Sequence, residues 1–187
     1  MILLIKINSV PFHYFEFVKP VEDIMRKIKT DFITVHYRDL TEGVLLKTDK
    51  IIICGTSLKD NMFLENMDYF RWLKNIDKPV LGICGGMHIL GLVFDGELHK
   101  GQEIGLNNIK FKKKLLEYIG KHEVYELHKF YTTSKEFEIF AESKVCPQAI
   151  KHKNKTIYGL LFHPEVRNKS IIEKFVKLKT KSKDNSN

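Results

Sequence analysis

The sequence predicts an α/β fold, an open and mostly parallel central sheet flanked by helices, with an antiparallel segment added to it. Three observations lead there. Short apolar runs alternate with helix-period segments through the first half of the chain, the pattern of βα units around a parallel sheet. One run, Val80 to Ile83, ends in a cysteine flanked by glycines, which marks a sharp strand-to-helix turn. From Gln102 to Phe162 the texture changes to several strand-like pieces, as expected of antiparallel strands inserted after the parallel half.

Taken in order, Met1 to Ile7 reads as a first strand, and Val21 to Ile28 as a helix whose start is marked by Pro20. Ile33 to Tyr37 is a second strand, Ile51 to Cys54 a third, Phe63 to Leu73 a helix, and Val80 to Ile83 a fourth strand running into Cys84. Strand-like pieces follow at Ile104 to Phe111, Val124 to Leu127 and Phe137 to Phe140, then a hairpin from Ala149 to Phe162 turning at Asn154. Ser170 to Leu178 is the last helix. With 187 residues and 43% hydrophobic content, one well-buried core is expected, so residues 1–180 read as a single domain and residues 181–187 as a polar, disordered tail.

Several function classes are disfavoured. No apolar run approaches the roughly 20 residues of a membrane span, and the apolar start is broken by Lys6 and lacks a basic leader, so a cytoplasmic protein is expected. The three cysteines, Cys54, Cys84 and Cys146, form no CxxC pair, which indicates neither a disulfide framework nor a zinc site. No metal or cofactor is expected, and Cys54 and Cys146 read most simply as small core residues. The formal charge of +8 is concentrated in lysine runs, Lys110 to Lys121, Lys151 to Lys155 and Lys174 to Lys183, without aromatic stacking platforms. A solvated surface explains them better than nucleic acid; a basic face for an acidic partner or an anionic substrate is the alternative.

Two motifs carry chemistry. In Gly82-Ile83-Cys84-Gly85-Gly86, small neighbours let strand and helix pack around a strained nucleophile. The helix that follows aims its unpaired N–H groups and positive dipole end at the sulfur, favouring thiolate and offering an oxyanion site. A small buried cysteine beside a tight turn is the plainer reading of this motif alone. In Phe162-His163-Pro164-Glu165, an apolar strand ends in a histidine with a carboxylate two residues on. The proline fixes the backbone between them, and a carboxylate on one imidazole nitrogen leaves the other free to take a thiol proton. A surface turn with an ion pair would explain this motif alone equally well. Together, both emerge from carboxyl ends of predicted strands and can meet above one sheet.

Gly82-Ile83-Cys84-Gly85-Gly86 and Phe162-His163-Pro164-Glu165, in this order and spacing, resemble the class I glutamine amidotransferase family, a flavodoxin-like fold. Glu138-Ile139-Phe140-Ala141-Glu142-Ser143 and Ala149-Ile150-Lys151-His152-Lys153, followed by Ile157-Tyr158-Gly159, look most like the stand-alone amidotransferase subunit of archaeal GMP synthase. The resemblance implies glutamine hydrolysis by a Cys84, His163, Glu165 triad. It also implies oxyanion and substrate contacts at Gly55, Thr56, Gly85, His88 and His128. Thr56 falls where the family has a second glycine whose N–H supplies the oxyanion hole, and His88 where it often has a glutamine that grips substrate. Asn8-Ser9-Val10-Pro11-Phe12 stands where GMP synthase-like members usually have a D-x-G-x-Q-type loop. No G-x-x-x-x-G-K-[ST] phosphate loop occurs, so the expected partner is a separate ATP-dependent synthetase subunit that takes the ammonia. A cysteine hydrolase of γ-glutamyl amides or peptides, and a catalytically weak regulatory subunit on the same scaffold, stay open as alternatives.

Overall fold

The computed structural model describes residues 1–179, so the expected tail at 181–187 and the expected domain end at residue 180 lie outside the described residues. Nine strands form one sheet: β1 Ile2–Lys6, β2 Phe32–His36, β3 Lys50–Ile53, β4 Val80–Ile83, β5 Glu97–Leu115, β6 Tyr118–Thr133, β7 Phe137–Glu142, β8 Pro147–His152 and β9 Ile157–Leu160. Their spatial order is β2-β1-β3-β4-β9-β8-β7-β5-β6. The first five in that order are parallel neighbours, and the sheet continues antiparallel from β9 through β8, β7 and β5 to β6. The α-helices are α1 Lys19–Lys27, α2 Glu42–Lys47, α3 Gly85–Val93 and α4 Lys169–Val176. Among the described residues no helix is long and apolar enough to cross a membrane.

Both faces of the parallel half are covered, and β1 shows the sequence logic. Side chains alternate across a strand. Ile2 and Leu4 enter one core with Val21 and Met25 of α1 and Ile172 and Phe175 of α4. Leu3 and Ile5 enter the other with Phe63, Phe70, Met87 and Leu90. An unbroken apolar run is what a strand buried on both sides requires. Pro20 sits in the first turn of α1, where its missing N–H costs nothing, and a short π-helical turn, Tyr14–Val18, leads into it.

Two expectations are corrected. The segment expected as a helix from Phe63 to Leu73 is helical but of the 3₁₀ kind, Met62–Asn75, with a break at Asn66 (φ −125°, ψ 33°). There the Asn66 amide donates to the Met62 carbonyl at 2.7 Å, a local bond that competes with the helical ladder. The pieces expected at Ile104 to Phe111 and Val124 to Leu127 are parts of one long hairpin, β5–β6, with Leu116 and Glu117 at its tip in left-handed backbone (φ 47° and 73°). Ion pairs such as Lys113 to Glu138 of β7, at 2.8 Å, account for part of the lysine-rich run along this hairpin.

The junction of β4 with α3 is the tightest point of the fold. A Cβ on Gly82 would lie 2.5 Å from the Gly86 carbonyl oxygen, and one on Gly86 would lie 2.5 Å from the carbonyl oxygen of Ile53 on β3. Both obstacles are backbone and cannot swing aside. Gly86→Ala is therefore expected to lower unfolding stability by about 1–3 kcal/mol, read from the urea midpoint at constant m-value; an unchanged midpoint would show that the elbow relaxes.

Candidate active site

Two parallel neighbours bring Cys84 and His163 to one edge of the sheet. β4 pairs with β9, Ile83 opposite Leu160, and the Cys84 N–H donates to the Leu160 carbonyl at 2.7 Å. β9 runs on to His163, whose own N–H donates to the Tyr125 carbonyl of β6 at 2.9 Å. Cysteine and histidine thus leave the same carboxyl edge of the sheet, where open α/β folds place their ligands. Cys84 carries φ 48° and ψ −105°, a strained conformation for a residue with a Cβ. Gly55, just beyond β3, fits between the two groups. A Cβ there would lie 2.8 Å from His163 Cε1 and 3.5 Å from Cys84 Cβ, so only glycine permits the approach.

His163 and Glu165 are buried, and His163 Nδ1 donates to Glu165 Oε1 at 2.7 Å. Burial by itself disfavours the imidazolium, but the charge of Glu165, supported by Cys84, outweighs it and raises the His163 pKa well above its ordinary value of 6.5. With Nδ1 committed to Glu165, Nε2 has no hydrogen-bond partner among the described residues. The Cys84 thiol donates instead to the Leu127 carbonyl of β6, at 3.6 Å. Phe17 lies over the imidazole, ring centroids 5.3 Å apart.

Backbone N–H groups without acceptors lie beside Cys84. α3 begins at Gly85 with no side-chain cap, so its first N–H groups lack intrahelical acceptors. The N–H groups of Gly55 and Thr56 likewise find no acceptor among the described residues. Thr56 has no left-handed φ, so its side chain imposes no backbone strain there. Its buried hydroxyl has no partner among the described residues. Thr56, Gly85, His88 and Leu127 line a narrow cleft against Cys84, with about 10 Å³ of open space, about that of one water molecule.

His88 lies one turn beyond Cys84 on α3 and is buried. Its Nε2 donates to the Phe130 carbonyl at 2.9 Å, and burial lowers its pKa to about 4, so the ring is neutral at pH 7 with Nδ1 an unpaired acceptor. His128 also reaches the cleft wall, but its ring is held elsewhere: Nδ1 donates to the Gly101 carbonyl at 2.9 Å, and Nε2 faces Glu126 at 3.2 Å and Glu103 at 3.5 Å. Cys54 and Cys146 are both buried in the core as expected, the Cys146 sulfur also lying against Glu103 and Gln148.

Sequence reasoning missed Phe17, the Leu127 carbonyl and Asp60. The Asp60 carboxylate is buried and accepts from Ser9 N–H (2.9 Å), Ser9 Oγ (2.6 Å), Val10 N–H (3.3 Å) and His13 Nδ1 (2.9 Å). Burial alone would raise its pKa, but these donors outweigh that and lower it. Asp60 thereby ties the loop after β1 to the loop after β3. Neither Phe17 nor Asp60 sits in a motif; only their placement gives them a role.

Two outcomes follow from this geometry. Gly55→Ala should leave the fold intact but push His163 off Cys84, with turnover falling about 100-fold; turnover within twofold of wild type would show that the imidazole has slack. In Glu165→Gln, the titration midpoint of the His163 ring, followed by NMR, should fall below that of the wild type because only Cys84 then opposes burial. An unmoved midpoint would show that Glu165 does not set the charge.

A family model, glutamine amidotransferase class-I, matches residues 13–180. A glutamine-hydrolysing GMP synthase subunit of Methanosphaera stadtmanae is 40% identical over 117 residues, 56% of this chain and 62% of that protein. Its namesake in Methanosarcina barkeri is 27% identical over 163 residues, 82% of this chain and 84% of that protein. The chain spans less than two thirds of the length of the curated relatives it matches first, from 56% to 64% across five of them. A Thermoplasma acidophilum structure, provisionally assigned to GMP synthase, superposes with a TM-score of 0.81 at 21% identity, covering 94% of this chain and 92% of that one. At that identity the likeness is one of fold. With the family model matched across nearly the whole chain and the elbow and histidine segment brought together on one sheet edge, the chain belongs to the class I glutamine amidotransferases.

Proposed function

We propose that the chain hydrolyses glutamine and hands the ammonia to a separate ATP-dependent synthetase subunit, in keeping with the name of its relatives, glutamine-hydrolysing GMP synthase. The observation that carries this reading is the buried His163–Glu165 pair, at 2.7 Å, set on the strand beside a cysteine in strained backbone at a helix start.

The chemistry follows from that placement. His163 Nε2 takes the Cys84 proton, and the sulfur attacks the side-chain amide carbon. The oxyanion is received by the Gly85 N–H and by the Gly55 or Thr56 N–H. His163 then protonates the amide nitrogen, ammonia leaves, and a thioester remains. Water, deprotonated by His163, attacks the thioester, and glutamate leaves with the thiol restored. Glu165 orients the ring and balances its charge throughout. Because the cleft is narrow and the thiol faces Leu127, the wall at residues 127–130 must move to admit substrate. The synthetase is the natural agent of that movement, so the isolated chain is expected to be slow.

The unpaired Thr56 hydroxyl and His88 Nδ1 favour one further reading, a γ-glutamyl amide other than glutamine as substrate. Both readings share the triad and differ only in what fills the cleft.

Labelling with diazo-oxo-norleucine followed by peptide mapping tests the proposal. The expected result is modification of Cys84 that glutamine competes away, with glutamate release abolished in Cys84→Ser. Cys84 reachable by iodoacetamide but never by the glutamine mimic, with or without a synthetase, would overturn glutamine as substrate and send the search to other γ-glutamyl amides.

A further inference from the structure

We propose that the outward face of the β5–β6 hairpin, with Ile104, Leu106, Tyr125 and Leu127 at its centre and Lys121 and Lys129 at its ends, is the surface on which the synthetase subunit docks. It rests on the reading of the chain as a glutaminase that serves such a subunit, and the partner it calls for sets carboxylates on either side of an apolar contact.

Register and burial define the face. Side chains alternate across a strand, and on the inner side of the hairpin Ile109 and Phe111 of β5 and Val124, Glu126 and His128 of β6 are buried. The outer side chains pair across the two strands as Ile104 with Leu127, Leu106 with Tyr125, Asn108 with Glu123 and Lys110 with Lys121. Two adjacent rungs are therefore apolar on the solvent side, where an antiparallel pair covered on one face is expected to be polar. Ile104 is 56% exposed and Leu106 59%. Large apolar side chains grouped in water on one face mark an interaction surface, as singly scattered ones do not.

Charge sets what the face takes. Lys110 and Lys121 stand directly opposite each other, an arrangement that destabilises a sheet when the charges are alike. Among the described residues nothing relieves it: Glu142, the register neighbour of Lys110 on β7, pairs with Lys112, and Glu123, next to Lys121 on the outer side of β6, pairs with Arg167. Lys129, two residues beyond Leu127 and so on the same side of β6, places a third ammonium at the opposite end of the apolar rungs. A second copy of the chain fits this face badly, since a two-fold that stacks the apolar rungs with strands aligned sets lysine against lysine whichever ends meet. A surface with carboxylates at both ends of an apolar centre matches it, the charges steering the encounter and the apolar rungs holding the complex. Leu127 points to the occupant. Its side chain stands opposite Ile104 in the centre of the face, while its carbonyl receives the Cys84 thiol. A protein bound here bears on the wall that must give way before substrate enters, and the protein with a use for that is the one that takes the ammonia.

Association and dissociation rates of the chain with the ATP-dependent synthetase subunit of the same organism's GMP synthase, measured over a range of salt, test the face. Leu106→Asp, at an exposed position outside the cleft, should weaken binding about tenfold, chiefly through faster dissociation. Lys110→Glu combined with Lys121→Glu should slow association about fivefold and flatten its dependence on salt. In both variants circular dichroism and the rate of Cys84 alkylation by iodoacetamide should match the wild type, which shows fold and thiol intact. Wild-type chain that does not bind the subunit, variants that bind it as the wild type does, or a wild-type dimer that Leu106→Asp abolishes each overturn the face. Labelling of Cys84 by diazo-oxo-norleucine, run alongside, keeps the two readings apart. A labelled chain whose binding ignores these substitutions loses the docking face and keeps glutamine hydrolysis; a chain that never labels yet binds through these residues keeps the face and loses hydrolysis.

Discussion

The turn between β4 and α3 sets the terms for the rest of the molecule. Cys84 holds a left-handed backbone angle, a conformation that costs of order 1–3 kcal/mol for a residue with a Cβ and persists only where its surroundings leave no alternative. Those surroundings are backbone pressed on backbone, Gly82 against the Gly86 carbonyl and Gly86 against that of Ile53. Because the elbow is held by β3 and β4 together, it places the thiol, the helix N-terminus and the loop carrying Gly55 and Thr56 in one register. The placement of the thiol and of the backbone N–H groups beside it is therefore the consequence of one packing event.

The histidine depends on a different balance. A buried imidazolium is unfavourable and a buried carboxylate is too, yet the two at 2.7 Å sustain each other, and breaking either strands the other without compensation. Packing then supplies the distance: Gly55 on one side and the Phe17 ring on another leave His163 little freedom. His88, close by in the same cleft but without a carboxylate, is pushed the opposite way, to a pKa of about 4. Two buried histidines in one site are thus pushed in opposite directions, for reasons that lie in their neighbours.

The parallel half was legible in the sequence because strands covered on both faces must be continuous apolar runs, and Met1 to Ile5, Ile51 to Cys54 and Val80 to Ile83 are such runs. Cys84, His163 and Glu165 were legible because the elbow and the proline turn leave local signatures. The hairpin β5–β6 was only partly visible, since its outer part carries lysines rather than strict alternation and is held by pairing and ion pairs with β7. The break at Asn66 arises from one side-chain bond that composition does not reveal. Asp60, Phe17 and the Glu103 carboxylate facing His128 were illegible for a shared reason: their partners come from segments far apart in the chain, with no spacing rule between them. His128 was singled out, but for its neighbourhood to the cleft rather than for the carboxylates that its ring faces.

The pairing of β4 with β9, Val80 opposite Ile157, also bears on how the chain reaches this state. Cys84 follows β4, whose neighbour β3, itself paired with β1, precedes it in the chain, so that half can condense while the chain is still being made. Its base arrives only with β9, after the whole hairpin region has been synthesised, and the contact closes a long loop. During translation the thiol is therefore a cysteine at a helix start with no histidine beside it, and the reactive pair is assembled among the last long-range contacts to form.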